Sequence, residues 1–387
     1  MRSTNSVILL IPAAREFDRG LRRGIIDYGN RHGPWTFFEE APPYLQSLTP
    51  RQRLREMSGW KAHGAIVLQS RYREVMSLNL PTVIAVETRK LDESYNQVVC
   101  DNVEIGRMGA RVLIGLGLRH FAYCGLAGLE FSDNRGAGFR KALEDANRAA
   151  AIYNSKVASP GLSWYSERKK LASWLMSLPK PVGLMACNDD RARMVIDICR
   201  SQQLRVPDDV AVLGVDNDEQ VCRSASPPLS SIALATEAAG FEAAALLAEL
   251  MAGHVPARRT VIVRASREVI RQSTDTLAHG DSSLVRALRF IRDNCSRDMR
   301  VSEVADAAGL SRRALQDRFV RELGRTAIEE IHRRRADHVA RLLLETNMTV
   351  GEIAYASGFD MGAHLARFFA RCTGLTPRAY RQMMRIS

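Results

Sequence analysis

Up to Ile270, short apolar runs alternate with longer stretches whose apolar residues recur at helical spacing. Residues 7–11, 65–68, 82–86, 121–124, 182–186 and 210–215 are apolar runs of strand length, the mark of strands covered on both faces of a parallel sheet. Between them, residues 103–116, 135–147 and 190–203 predict helices. This alternation predicts a doubly wound α/β architecture in two lobes. Such sheets bind ligands beyond the carboxyl ends of their strands.

The period changes towards the carboxyl end. Val301, Val304, Ala305 and Ala308 line one face of a short helix, and Val350, Ile353, Ala354 and Ser357 repeat the arrangement. Gly309 and Gly358 follow Ala305 and Ala354 by four residues, and glycine accepts the positive φ of a tight turn. Ser311 and Asp360 are N-cap candidates for a second helix in each copy, tied back by Leu315 with Phe319, or Leu365 with Phe369. The copies lie 49 residues apart at Ala305 and Ala354 but 50 apart at Gly324 and Gly374, so the second has one extra turn residue. Residues 328–344 predict a connecting helix of about 25 Å. That is of the order needed to set two reading helices one DNA turn, about 34 Å, apart.

Two helix-turn-helix units in an all-α domain predict double-stranded promoter DNA as a partner. In the first unit Arg312, Arg313 and Gln316 project away from the Leu315 and Phe319 face, as guanine and adenine readers would. Asp317 is placed to orient one of those arginines or to accept from a cytosine amine. In the second unit only His364 and Arg367 reach far, which predicts weaker sequence demand there.

Charge agrees. From Leu284 onward 19 arginines and no lysines stand against 12 acidic residues, so about a quarter of the chain holds seven of its twelve excess positive charges. Guanidinium forks suit phosphate clamping and guanine reading. With 387 residues and 46% hydrophobic content, the chain can bury two or three separate cores. Residues 271–283 are polar and lack apolar periodicity, so they predict a linker between domains of residues 1–270 and 284–387.

The predicted strand ends carry a polar set: residues 12–15 after the first strand, Asn188 and Asp189 after residues 182–186, and Asp216 after 210–215. Arg135 opens the predicted helix after 121–124. An amide, two carboxylates and a guanidinium converging on one crevice suit a ligand rich in hydroxyls.

Three motifs carry a resemblance. VVCDNVEIGRMGARVLIGLGLRHFAYCG (98–125), NRGAGFRKAL (134–143) and ACNDDRARMVIDICRSQQLRVPDDVAVLGVDND (186–218) resemble the LacI/GalR effector domain, itself similar to periplasmic sugar-binding proteins of type I. The resemblance implies that Arg135, Asn188 or Asp189, and Asp216 hold an effector. With the first strand predicted to begin at Val7, the amino-terminal helix-turn-helix usual in that family is not expected here. GFDMGAHLARFFARCTGLTPRAYR (358–381) and the duplicated motif resemble the AraC/XylS-type DNA-binding domain, over about the last hundred residues. The chain departs from that family at Leu365, usually aromatic, and at Met361, Gly362 and Ala363, usually polar. A sensor of the first kind followed by a reader of the second resembles bacterial pentose-operon regulators. That resemblance implies a cytoplasmic homodimeric activator that responds to D-xylose and works with RNA polymerase. A different sugar, or repression, is the alternative within the same architecture.

Other classes have less support. The seven cysteines form no Cys-x-x-Cys pair, which predicts reduced thiols, and the eight histidines show no metal spacing, so neither metal nor cofactor is expected. Trp35, Trp60, Trp164 and Trp174 read as core. No window of eighteen apolar residues predicts a membrane span, and residues 7–11 are too short for an export signal, which counts against a secreted solute receptor. A DNA alkyl-repair enzyme needs an activated cysteine, yet neither Cys295 nor Cys372 has a histidine as sequence neighbour. No Gly-x-Gly-x-x-Gly follows the first strand, so a dinucleotide enzyme is not supported either.

Overall fold

The computed structural model describes residues 5–40, 49–86, 91–92, 94–156, 164–254, 260–275, 282–346 and 348–385. Among the described residues twelve strands make two sheets: β1 (Asn5–Leu10), β2 (Trp35–Phe38), β3 (Gly64–Leu68), β4 (Thr82–Ala85), β5 (Gln97–Cys100), β6 (His120–Ala127), β7 (Ala150–Lys156), β8 (Val182–Ala186), β9 (Val210–Asp216), β10 (Ser230–Leu234), β11 (Thr260–Val263) and β12 (Ala265–Val269). The first lobe has the order β11-β5-β4-β3-β1-β2 and is parallel throughout. The second has the order β12-β10-β9-β8-β6-β7, with β12 antiparallel to β10. β3, β8 and most of β9 are buried along their length, which is why they read as continuous apolar runs.

The chain passes between the lobes at residues 100–102, 234–236 and 263–265. The crossings are hydrogen-bonded side by side, Asp101 N–H to the Val263 carbonyl at 2.9 Å and Ala235 N–H to the Arg264 carbonyl at 2.8 Å. Three adjacent stretches of backbone thus join the lobes.

Helices cover both faces of each sheet. In the second lobe Asn102–Gly115 packs on Glu130–Asp145 with the backbones nearly touching. A Cβ on Gly106 would lie 2.0 Å from the Arg135 carbonyl oxygen, and one on Gly138 2.0 Å from that of Val103. These two bare positions let Arg135 lie across the end of the sheet. The observed helix starts five residues before the predicted opening at Arg135; its N-cap Leu129 makes no side-chain cap, so no residue marks the start.

The expected linker begins too early. Arg271 N–H donates to Ser230 Oγ at 2.7 Å, its guanidinium to the Leu229 carbonyl at 2.9 Å, and Ser273 Oγ to the Val212 carbonyl at 2.6 Å. Residues 271–274 therefore belong to the second lobe, while 276–281 lie outside the described residues.

The carboxyl-terminal domain is helical: Ser282–Asp293, Val301–Ala308, Arg312–Leu323, Ala327–Glu345, Val350–Ala356, Gly362–Thr373 and Pro377–Arg385. It has two cores. Val304, Ala305, Leu315 and Phe319 sit in one; Ile353, Ala354, Leu365 and Phe369 sit in the other. The 19-residue helix Ala327–Glu345 supplies Ile331 to the first and Val339 with Leu343 to the second. Gly309 and Gly358 take φ of +68° and +70°, as the repeat predicts. At Gly358 a side chain is excluded outright, since its Cβ would sit 2.8 Å from Arg297 Cα.

Candidate effector crevice and DNA-reading surface

β8, β9 and the helices beside them bring the predicted crevice residues to one end of the second sheet. Asp216 closes β9 at φ +101°, and its carboxylate lies 3.6 Å from the Arg135 guanidinium. Arg135 is 3% exposed and is fixed on two other sides, by the Cys187 carbonyl at 2.6 Å and Asn102 Oδ1 at 3.0 Å. A guanidinium held this tightly presents its remaining N–H groups in fixed directions. Burial pushes the Asp216 carboxyl up to about 6; Arg135 pulls the other way, while Asp190, Asp18 and Asp218 add to the rise.

Asn188 stands at the start of the helix Asp189–Ser201, and its Oδ1 accepts from Arg191 N–H at 3.0 Å. Asp189 is not brought to the crevice. It is 2% exposed, and its oxygens accept from Ser231 Oγ at 2.6 Å and Asp218 N–H at 2.7 Å. It braces the crevice wall from behind. Burial raises its pKa well above the ordinary carboxylate range, with the Asp216 charge next.

Ion pairs that sequence reasoning missed cross the mouth. Arg15, in the loop after β1, meets Asp190 of the other lobe at 2.6 Å. Arg19 reaches Asp218 at 3.0 Å, and Glu16 N–H donates to the same carboxylate at 3.0 Å. Asp218 also caps the helix Glu219–Ser224. The only sequence signal for the pairing was that Arg15, Asp190 and Asp218 each lie a few residues beyond a strand end. A second cluster was also missed: Arg191, 4% exposed, donates to Ser155 Oγ at 3.0 Å and Glu167 at 2.8 Å, and stiffens the far wall.

On the reading surface Arg312, Arg313 and Asp317 are exposed and Gln316 half-buried, all on a helix whose Leu315 and Phe319 are wholly buried. Ser311 caps that helix as predicted, accepting from Ala314 N–H. His364 and Arg367 are exposed on the corresponding helix of the second unit. Its N-cap is Met361 rather than the predicted Asp360, and the thioether accepts no backbone donor. Arg335 locks the units together: buried, it donates to Asp298 at 2.7 Å and the Ser357 carbonyl at 3.2 Å, and lies over the Phe359 ring at 4.4 Å.

The two domains touch. The Arg325 guanidinium donates to the Gly115 carbonyl of the second lobe at 3.4 Å, and Arg119 lies 3.9 Å from Glu322. Among the described residues no helix is long and apolar enough to cross a membrane.

A two-lobed sensor joined to a pair of DNA-reading units defines a regulator of transcription rather than an enzyme, and the comparisons agree. Residues 110–274 match the periplasmic binding protein-like domain and residues 304–383 the helix-turn-helix domain. The chain is a DNA-binding transcriptional regulator that joins a periplasmic binding protein-like sensor to a helix-turn-helix reader. It is 27% identical to the xylose operon regulatory protein of Escherichia coli (strain K12), over 97% of each chain. The protein of that name from Haemophilus influenzae is also 27% identical, over 78% of this chain and 79% of its own. Among solved structures, one described as the xylose-binding transcription activator xylR shares 25% identity at a TM-score of 0.62, covering 99% of both chains. A transcriptional regulator CelR–cellobiose complex, at 21% identity and a TM-score of 0.55, shares the fold over 70% of this chain and 85% of its own.

Proposed function

We propose that a small sugar, D-xylose before others, is the effector, and that its capture between the lobes sets how a homodimer of this chain engages promoter DNA and RNA polymerase in the cytoplasm. The regulated genes are those of pentose uptake and catabolism, and the effect is activation. Arg135, Asp216 and Asn188 hold the sugar hydroxyls; Asp189 keeps that wall in place. Arg312, Arg313, Gln316 and Asp317 read one part of the operator, and His364 with Arg367 contact the other.

The observation that carries this reading is the buried Arg135–Asp216 pair at the sheet end, 3.6 Å apart and facing a mouth spanned by ion pairs from the opposite lobe. A donor fork beside an acceptor is what neighbouring hydroxyls require once water is expelled. The names of the full-length relatives support xylose as the first sugar to test. Closure is transmitted because the reader rests on the second lobe through Arg325 and Gly115. A sugar acts only so far as it binds one lobe arrangement better than the other.

The test is calorimetric titration with a panel of pentoses and hexoses, followed by operator titration and in vitro transcription with each sugar that binds. One pentose is expected to bind preferentially and to change both operator affinity and transcript yield. Equal operator affinity and equal transcription with and without every sugar would end this reading.

A further inference from the structure

We propose that the second helix-turn-helix unit recognises thymine methyl groups in the major groove through Met361, Ala363 and Ala366, at positions where the first unit presents polar side chains. This rests on the DNA-binding reading above.

The two recognition helices can be compared position by position. Arg312–Leu323 and Gly362–Thr373 are both 12 residues long, and both end on a left-handed glycine, Gly324 at φ +66° and Gly374 at φ +77°. Leu315 and Leu365, and Phe319 and Phe369, are all wholly buried. The helices therefore present the same faces. Ser311 then corresponds to Met361, Arg313 to Ala363, Gln316 to Ala366 and Asp317 to Arg367.

At the first three of these positions the change runs one way, while at Ala314, matched by His364, it runs the other. Where the first unit offers a hydroxyl, a guanidinium and an amide, the second offers a thioether and two methyl groups. Met361 is 55% exposed, Ala363 exposed and Ala366 half-buried, so these side chains are not spent on the core. Met361 also holds the N-cap position, where a serine or aspartate would satisfy a backbone donor and where the twin helix has one that does. Tyr355, 85% exposed on the preceding helix, extends the patch; its counterpart in the first unit is the exposed Asp306.

An apolar patch on so arginine-rich a domain calls for an apolar counterpart. On the edges of major-groove base pairs only the thymine C5-methyl provides one. The short side chains of Ala363 and Ala366 let the helix axis approach the bases closely. Arg367 and Arg371, both exposed one turn apart on the same face of this helix, provide attraction to the neighbouring phosphates. The second unit is thus selective for the position of A·T pairs, by methyl contact, while the first uses hydrogen bonds.

The test uses the full-length protein and an operator selected from random DNA. Thymines are replaced by deoxyuridine, which lacks only the methyl, in one half of the site at a time. Affinity is expected to fall roughly fourfold per buried methyl when one half is replaced. It should be unchanged when the other half is replaced. The M361S/A363S/A366S variant, altered only outside the core, should bind both DNAs alike while keeping wild-type base preference in the first unit's half. Deoxyuridine tolerated in both halves, or a deoxyuridine penalty that persists in the variant, would overturn the inference while leaving DNA binding intact. Failure of the wild-type protein to select any operator would overturn the DNA-binding reading itself.

Discussion

Arg15 Nε lies 2.6 Å from Asp190 Oδ2, joining the loop after the first strand of one lobe to the helix after β8 of the other. The pair is open to solvent, 56% and 36% exposed, so its strength is limited by screening. Arg15→Ala is therefore expected to weaken effector binding no more than about fivefold, with the difference vanishing in high salt. The inner pair behaves differently, because Asp218 is 4% exposed and also receives Glu16 N–H. Asp218→Ala should cost more and stay costly in salt. Calorimetry of both variants at two ionic strengths checks this; equal salt sensitivity would refute the ranking.

The Asp216 carboxyl, raised by burial to about 6, gives two pH effects of defined sign. A carboxyl whose folded pKa lies above its unfolded value, about 3.9, adds stability that is fully present below the unfolded value and disappears as pH rises through the folded one. The ligand-free sensor should thus lose about 2 to 3 kcal/mol from this group between pH 4 and pH 6, on the scale of 1.36 kcal/mol per unit. Sugar binding runs the other way. An ionised Asp216 accepts hydroxyl donors, so affinity should fall roughly tenfold per unit as pH drops below the folded pKa. Asp216→Asn should flatten both curves, as read by denaturant melts and calorimetry across pH.

Glu330 anchors the helix that joins the two reading units. Wholly buried, it accepts from Arg325 at 2.7 Å, Arg333 at 2.9 Å and Arg334 at 2.9 Å. Burial acts to raise its pKa, but Arg333 and its neighbours hold it at about 2, below the ordinary 4.5. For a depressed carboxylate the stabilisation is complete above the unfolded pKa and is lost as pH falls through the folded one. The reader should therefore weaken between about pH 4.5 and pH 2. Glu330→Gln should destabilise it by about 3 kcal/mol, at the low end for orphaning one side of a buried ion pair, because the arginines retain some hydration. Thermal melts of the variant across this range test both statements.

How much of this was legible in sequence depended on whether the deciding contact was local. The strands of 182–186 and 210–215 stood out because burial on both faces leaves no polar alternation. Trp35–Phe38 and Thr260–Val263, four residues each, were too short to separate from their surroundings. The place of β11 in the first lobe, far along the chain from β5, had no local signal at all. The repeat showed both reading units because turn, cap and core pair all fall within about twenty residues of each other. The crevice was harder. Asp189 and Asp218 both lie just beyond a strand end, yet Asp189 turns inward because Ser231, on β10 across the intervening β9, donates to it. Gly214 leaves the room, since a Cβ there would stand 2.2 Å from its Oδ1. Neither partner is near Asp189 in sequence. The departure at Met361, Gly362 and Ala363 was legible, but its correspondence with the first unit needed the observed helix ends.

Gln316 offers the sharpest test of direct reading in the first unit. It lies half-buried beside Leu315 and is flanked by the exposed Arg313 and Asp317, which fixes the side of the helix from which its amide projects. An amide is suited to the paired acceptor and donor of an adenine edge. Gln316→Ala should then cost about 1 to 3 kcal/mol at one base pair of the operator and relax preference there, with other positions unaffected. The salt dependence of binding should not change, because no phosphate contact is lost. Arg321→Ala, one turn further along the same helix and exposed, serves as the contrast: any loss there should be uniform across sequences and should lower the salt slope. Competition binding against single-base operator variants at two salt concentrations separates the two patterns. A uniform loss for Gln316→Ala would make that residue a backbone contact and leave Arg312 and Arg313 as the readers of this half.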